Sequence, residues 1–129
     1  MINGIKPIVG NTTKTQKTTI KNGLSFDEGM DNLLVEIQGS YDNWGSKTKY
    51  GTKKLDLKLK PGRKFIKVVE GTRVWGFVAK VDGTHKGLPM LKGDILKAAT
   101  WRAPAKHSRG SIFDSEMHKS FSWTGPNYL

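Results

Sequence analysis

Along the chain, stretches that have a face to bury alternate with stretches that have none. Asn11 to Thr19 reads N-T-T-K-T-Q-K-T-T, polar and nearly free of apolar groups. Residues 1–24 therefore read as a polar N-terminal arm, either flexible or ordered by a partner. The first apolar stripe follows. Met30, Leu33, Leu34 and Ile37 recur at helical spacing behind Ser25 and Glu28, which form an S-x-x-E capping box. This predicts a helix over residues 25–38, stopped by Gly39, and Gly29 weakens it by about 1 kcal/mol relative to alanine. Leu33, Val35 and Ile37 also alternate, so a strand over residues 33–38 is the competing reading.

Beyond a Gly-, Ser-, Asn- and Lys-rich loop at residues 40–53, the period changes to two. Leu55, Leu57 and Leu59 fall on one side of a strand and Asp56, Lys58 and Lys60 on the other. Pro61-Gly62 makes a turn. Residues 63–69 and 73–81 read as a hairpin across Glu70-Gly71. In its second strand Arg73, Trp75, Phe77, Ala79 and Val81 share one face, and Val74, Gly76, Val78 and Lys80 the other. Both faces are largely apolar, which makes it a central strand, with Gly76 a candidate bulge. Residues 82–92 read as a loop, residues 95–100 as a further strand, and residues 111–113 as a short last one. From Trp101 to Gly110 no regular element is evident, and Pro104 breaks any helix there. The aromatic end S-F-S-W-T-G-P-N-Y-L is expected to fold back over the sheet. The pattern gives an α+β fold: a small antiparallel sheet of 4–5 strands with one packed helix. Residues 25–129 form a single domain behind the arm.

Charge sharpens this picture. The net charge is +11 and the pI about 10.0. Residues 1–40 balance four basic against four acidic side chains, whereas residues 41–70 carry nine against three and residues 71–129 nine against four. The cationic character thus belongs to the sheet-forming part, and it points to an anionic partner. There is no cysteine, which excludes disulfides, thiolate nucleophiles and Cys-based metal sites. No apolar run approaches the roughly 20 residues of a membrane span, and Met1 to Gly10 is not a secretory signal.

The candidate chemistry lies where cations and aromatics interleave. Gly93 to Asp114, G-D-I-L-K-A-A-T-W-R-A-P-A-K-H-S-R-G-S-I-F-D, holds Lys97, Trp101, Arg102, Lys106, His107 and Arg109. Upstream, Trp44 and Tyr50 stand among lysines that include Lys53 and Lys54, and the strand behind them shows Lys58 and Lys60. Cations that neutralise phosphates beside rings that stack a flat group are what a nucleic-acid surface needs. These twelve residues are the candidate nucleic-acid-binding set. The same residues also suit Trp and Arg anchors for a protein partner, a lysine-protected sheet edge, or a Trp44 folded onto the core. His85, His107 and His118 have no metal-ligand spacing, and no phosphate-loop, dinucleotide or nucleophile-elbow motif occurs. No cofactor, metal or catalytic residue is expected.

Residues 63–129 resemble a family of small, functionally unassigned proteins of tailed bacteriophages. The likeness rests on R-V-W-G-F-V at Arg73 to Val78, on the Gly93–Asp114 stretch and on the closing G-P-N-Y-L. On this view residues 1–62 are an added segment. The resemblance implies a phage origin and a place in the host cytoplasm or the virion. Three roles follow: a non-enzymatic accessory protein binding nucleic acid with weak sequence preference; a structural component of the particle; or an inhibitor of a host protein or nucleotide-signalling defence.

Overall fold

A computed structural model describes residues 24–48 and 53–128. The expected arm, apart from Leu24, lies outside the described residues, as does Tyr50. Among the described residues there is one α-helix, α1 (Phe26–Gly45). The Ser25 hydroxyl accepts from the Glu28 N–H at 3.0 Å, and the Glu28 carboxylate accepts from the Ser25 N–H at 2.8 Å, closing the capping box. The helix does not stop at Gly39, and the strand alternative for residues 33–38 is not what forms. Residues 40–45, expected in a loop, are helical. A side chain at Gly39 would meet nothing within 4 Å, while the buried stripe runs on through Tyr41 to Gly45. Burial of that stripe outweighs the glycine's cost of about 1 kcal/mol.

The strands are β1 (Leu57–Pro61), β2 (Phe65–Glu70), β3 (Arg73–Ala79), β4 (Gly83–His85), β5 (Leu88–Met90), β6 (Asp94–Ala98), β7 (Pro104–Ser111), β8 (Phe121–Ser122) and β9 (Gly125–Pro126). An antiparallel five-stranded sheet has the order β1-β2-β3-β6-β7, and β4–β5 and β8–β9 are separate two-stranded hairpins. Two expectations are corrected here. The loop at residues 82–92 contains the β4–β5 hairpin. The last strand of the five-stranded sheet lies not at 111–113 but at 104–111, inside the stretch that looked irregular. Pro104 opens this edge strand, a position where a missing N–H is tolerated.

A bulge decides which residues face α1. Val68 pairs with Gly76 and Val69 with Val74, so Trp75 is the extra residue in β3. Strict alternation would put Trp75 and Phe77 on one face. The bulge resets the phase instead: Trp75 and Val78 join the core beneath α1, and Phe77 packs edge-to-face on Phe65, outside that core. The core joins Met30, Leu33 and Ile37 of α1 to Ile66, Val68, Trp75, Val78, Ile95 and Ile112.

The C-terminal segment folds back onto the helix side, as the aromatic tail suggested. Phe121 meets Trp75 edge-on at 5.2 Å, and the Trp75 indole N–H donates to the Ser122 carbonyl at 3.0 Å. Arg73 donates to the carbonyls of Trp123 and Thr124, and Lys97 to that of Pro126. Gly76 makes room for this hairpin: a Cβ there would stand 3.0 Å from Pro126 Cγ and 2.9 Å from the Leu96 carbonyl.

Candidate nucleic-acid interface

The sheet register builds a cationic row on the face away from α1. Leu59 pairs with Val68, a core residue, so their neighbours Lys60 and Lys67 point the other way. Lys60 stands directly opposite Lys67, Lys67 opposite Phe77, and Phe77 opposite Leu96. The row opens into a groove of about 720 Å³. Its walls are Lys60, Arg63, Lys64, Lys67 and Arg102, and Phe65 and Phe77 form its floor.

Both walls are held by turns. The Gly62 N–H donates to the Phe65 carbonyl at 2.8 Å, and Lys80 Nζ donates to the Gly62 carbonyl at 2.8 Å. These bonds fix the β1–β2 turn that carries Arg63 and Lys64. Across the groove, the Thr100 hydroxyl accepts from the N–H groups of Arg102 and Ala103, each at 3.1 Å. That turn presents Arg102 and the half-exposed Trp101, whose ring centroid lies 4.5 Å from Lys67 Nζ. A cation–π contact of this kind contributes about 0.5–1 kcal/mol at an exposed site. Beneath, His85 packs edge-on against Phe65 at 5.3 Å, and its Nε2 lies 2.9 Å from the Ala105 carbonyl. A carbonyl only accepts, so Nε2 is the protonated nitrogen.

Among the described residues no carboxylate lines the groove, and the ion pairs Lys58–Asp56, Arg73–Glu70 and Lys119–Glu116 leave its five cations out. Facing lysines such as Lys60 and Lys67 repel one another across the strands. Like charges gathered in one concavity raise the potential that an approaching anion meets. Outside the groove, burial pushes the Asp94 carboxyl above the usual carboxylate range, against the opposing effect of hydrogen bonds from the Leu91 N–H and Ser108. Chemically, the groove can hold phosphate oxygens with its cations and a flat group against Trp101.

Of the twelve sequence candidates, Lys60 and Arg102 line the groove, and Trp101 stands beside it against Lys67. Lys97 and Arg109 hold the C-terminal tail, through the carbonyls of Pro126 and Asn127, and Lys97 also lies 4.0 Å from the Tyr128 ring centroid. Lys58 pairs with Asp56 at 3.7 Å. Lys106 and His107 are exposed on the edge strand β7, apart from the groove lining. Lys53 and Lys54 lead into Leu55, a segment that Gln38 ties to α1 by bonding the Lys53 carbonyl and the Leu55 N–H. Trp44 packs on Tyr41 and Trp123, on the helix side. Sequence reasoning missed Arg63, Lys64 and Lys67. The signal for Lys67 was present, since alternation with Ile66 and Val68 sets it beside Phe65, on the face that Lys60 shares. Among the described residues no three His, Asp or Glu side chains gather as a metal-ligand set, and no helix is long and apolar enough to cross a membrane.

A family of unknown function (DUF7717) matches residues 10–129, and the chain belongs to it. The match begins far ahead of residue 63, so α1 and β1 lie within this family's extent. No curated protein and no solved structure matches the chain.

Proposed function

We propose that this member of the family is a non-enzymatic binder of nucleic acid that holds the phosphate backbone in the groove opposite α1. The observation that carries the reading is the groove itself: Lys60, Arg63, Lys64, Lys67 and Arg102 converge there, and no described carboxylate lines it. Phosphates at that spot relieve a repulsion that the free protein must bear. No base-reading motif is evident in the sequence, and phosphate contacts carry no sequence information, so sequence preference is weak.

The test is an anisotropy titration with labelled oligonucleotide at several salt concentrations. Engagement of the five groove cations predicts a slope of log K against log salt of about −3.5 to −4.5, because each neutralised phosphate releases counterions. The double variant Arg63→Gln, Lys64→Gln is expected to lower affinity about tenfold or more at low salt and to flatten the slope by about 2. Absence of binding at low salt, or binding indifferent to salt, rejects the proposal.

A further inference from the structure

Trp101 gives the groove a second property that cations alone do not explain. It is 50% exposed, although indoles gain most from burial. Its position is built, since the Ala103 carbonyl accepts from the N–H groups of Ala99 and Thr100, while the Thr100 hydroxyl holds the following backbone. The turn thus projects the indole over β2, where it meets the ammonium of Lys67. Lys67 in turn faces Lys60. A phosphate placed between these two lysines neutralises both and competes for the ammonium that now sits on the indole.

A duplex offers such a site only its phosphates, because its base faces are hidden in the stack. A single strand offers phosphates and open base faces together. Resting on the nucleic-acid reading above, we infer that the groove selects single-stranded nucleic acid: one base stacks on Trp101 while adjacent phosphates sit on Lys60, Lys67 and Arg102. Every base has a flat face, so this stacking adds affinity without sequence preference.

The experiment compares a labelled oligothymidylate with a hairpin duplex of equal length, at one ionic strength, for the wild-type chain, Trp101→Ala and Trp101→Phe. The single strand is expected to bind about tenfold or more tightly than the duplex. Trp101→Ala should lose about 5- to 150-fold on the strand, the range that removal of one stacking ring produces, and less than about twofold on the duplex. Trp101→Phe should keep most of the strand affinity yet lose the tryptophan quenching that accompanies binding. Thermal unfolding of both variants within a few degrees of wild type excludes a folding defect. Equal affinity for strand and duplex, with Trp101→Ala indifferent on both, overturns single-strand selection and leaves the phosphate-binding reading standing. Failure of both probes to bind at low salt overturns the two together.

Discussion

The Lys60–Lys67 pair shows a local rule broken. Like charges directly opposite on antiparallel strands destabilise a sheet by a few tenths to about 1 kcal/mol, and no described carboxylate lines the groove to offset this pair. Lys60 is exposed at the sheet edge, so Lys60→Gln should relieve the repulsion while keeping the side-chain stem. The expected result is a rise in Tm of about 1–2 °C at low salt that vanishes at high salt, where screening already quiets the pair. The same variant should reduce the salt slope of oligonucleotide binding by about 0.7–0.9. A variant less stable than wild type at low salt contradicts this account of the groove. Alternation in β1 displayed Lys60 from the sequence alone, and the aromatic–cation interleaving displayed Trp101 and Arg102. The sequence did not reveal their convergence, because it depends on register between β1 and β2 and on a turn that swings residues 100–103 over the sheet. Nor did it reveal that Lys97 and Arg109 serve the tail, since the carbonyls they meet are 29 and 18 residues away.

At the level of elements, the hydrophobic pattern foretells the structure where one period runs undisturbed and misleads where burial or a bulge changes the phase. The capping box and the stripe from Met30 to Ile37 located the start of α1. The stop at Gly39 was misplaced because Tyr41 and the segment it packs on supply burial that no local signal announces. The bulge at Trp75 likewise moved Phe77 across the sheet, and a candidate bulge at Gly76 was as near as pattern alone came. Glycines within one helix separate these influences. At Gly29 a methyl would stand 2.9 Å from Ile112 Cδ1, so close packing bears on that position. At Gly39 a methyl would meet nothing, and only backbone entropy and helix propensity apply. Gly39→Ala should therefore stabilise the protein by about 0.5–1 kcal/mol, read as a Tm rise of about 2–5 °C, with oligonucleotide affinity unchanged. No gain would mean that the helix beyond Gly39 is not folded as described.

Across the whole molecule the charge is arranged in two layers. Five of the chain's eleven acids, Asp27, Glu28, Asp31, Glu36 and Asp42, lie on α1, which carries no Lys or Arg. The groove lies on the other face of the sheet, so the net charge of +11 describes neither side. This arrangement separates two explanations of binding: attraction by the total charge, and capture by the groove. Asp31 and Glu36 are exposed on α1, and the double variant Asp31→Asn, Glu36→Gln raises the net charge by two without touching the sheet. A helix with its side chains is about 10 Å across, and the Debye length at physiological salt is about 8 Å. The outer acids of α1 are thus screened from a phosphate lying in the groove. Affinity at physiological salt should change by less than about twofold and the salt slope should stay as it is, whereas removing two charges at Arg63 and Lys64 flattens that slope by about 2 even though the net charge shifts by the same amount. A several-fold gain on neutralising the helix acids would show that the sum of charges, rather than their placement across the sheet, governs association.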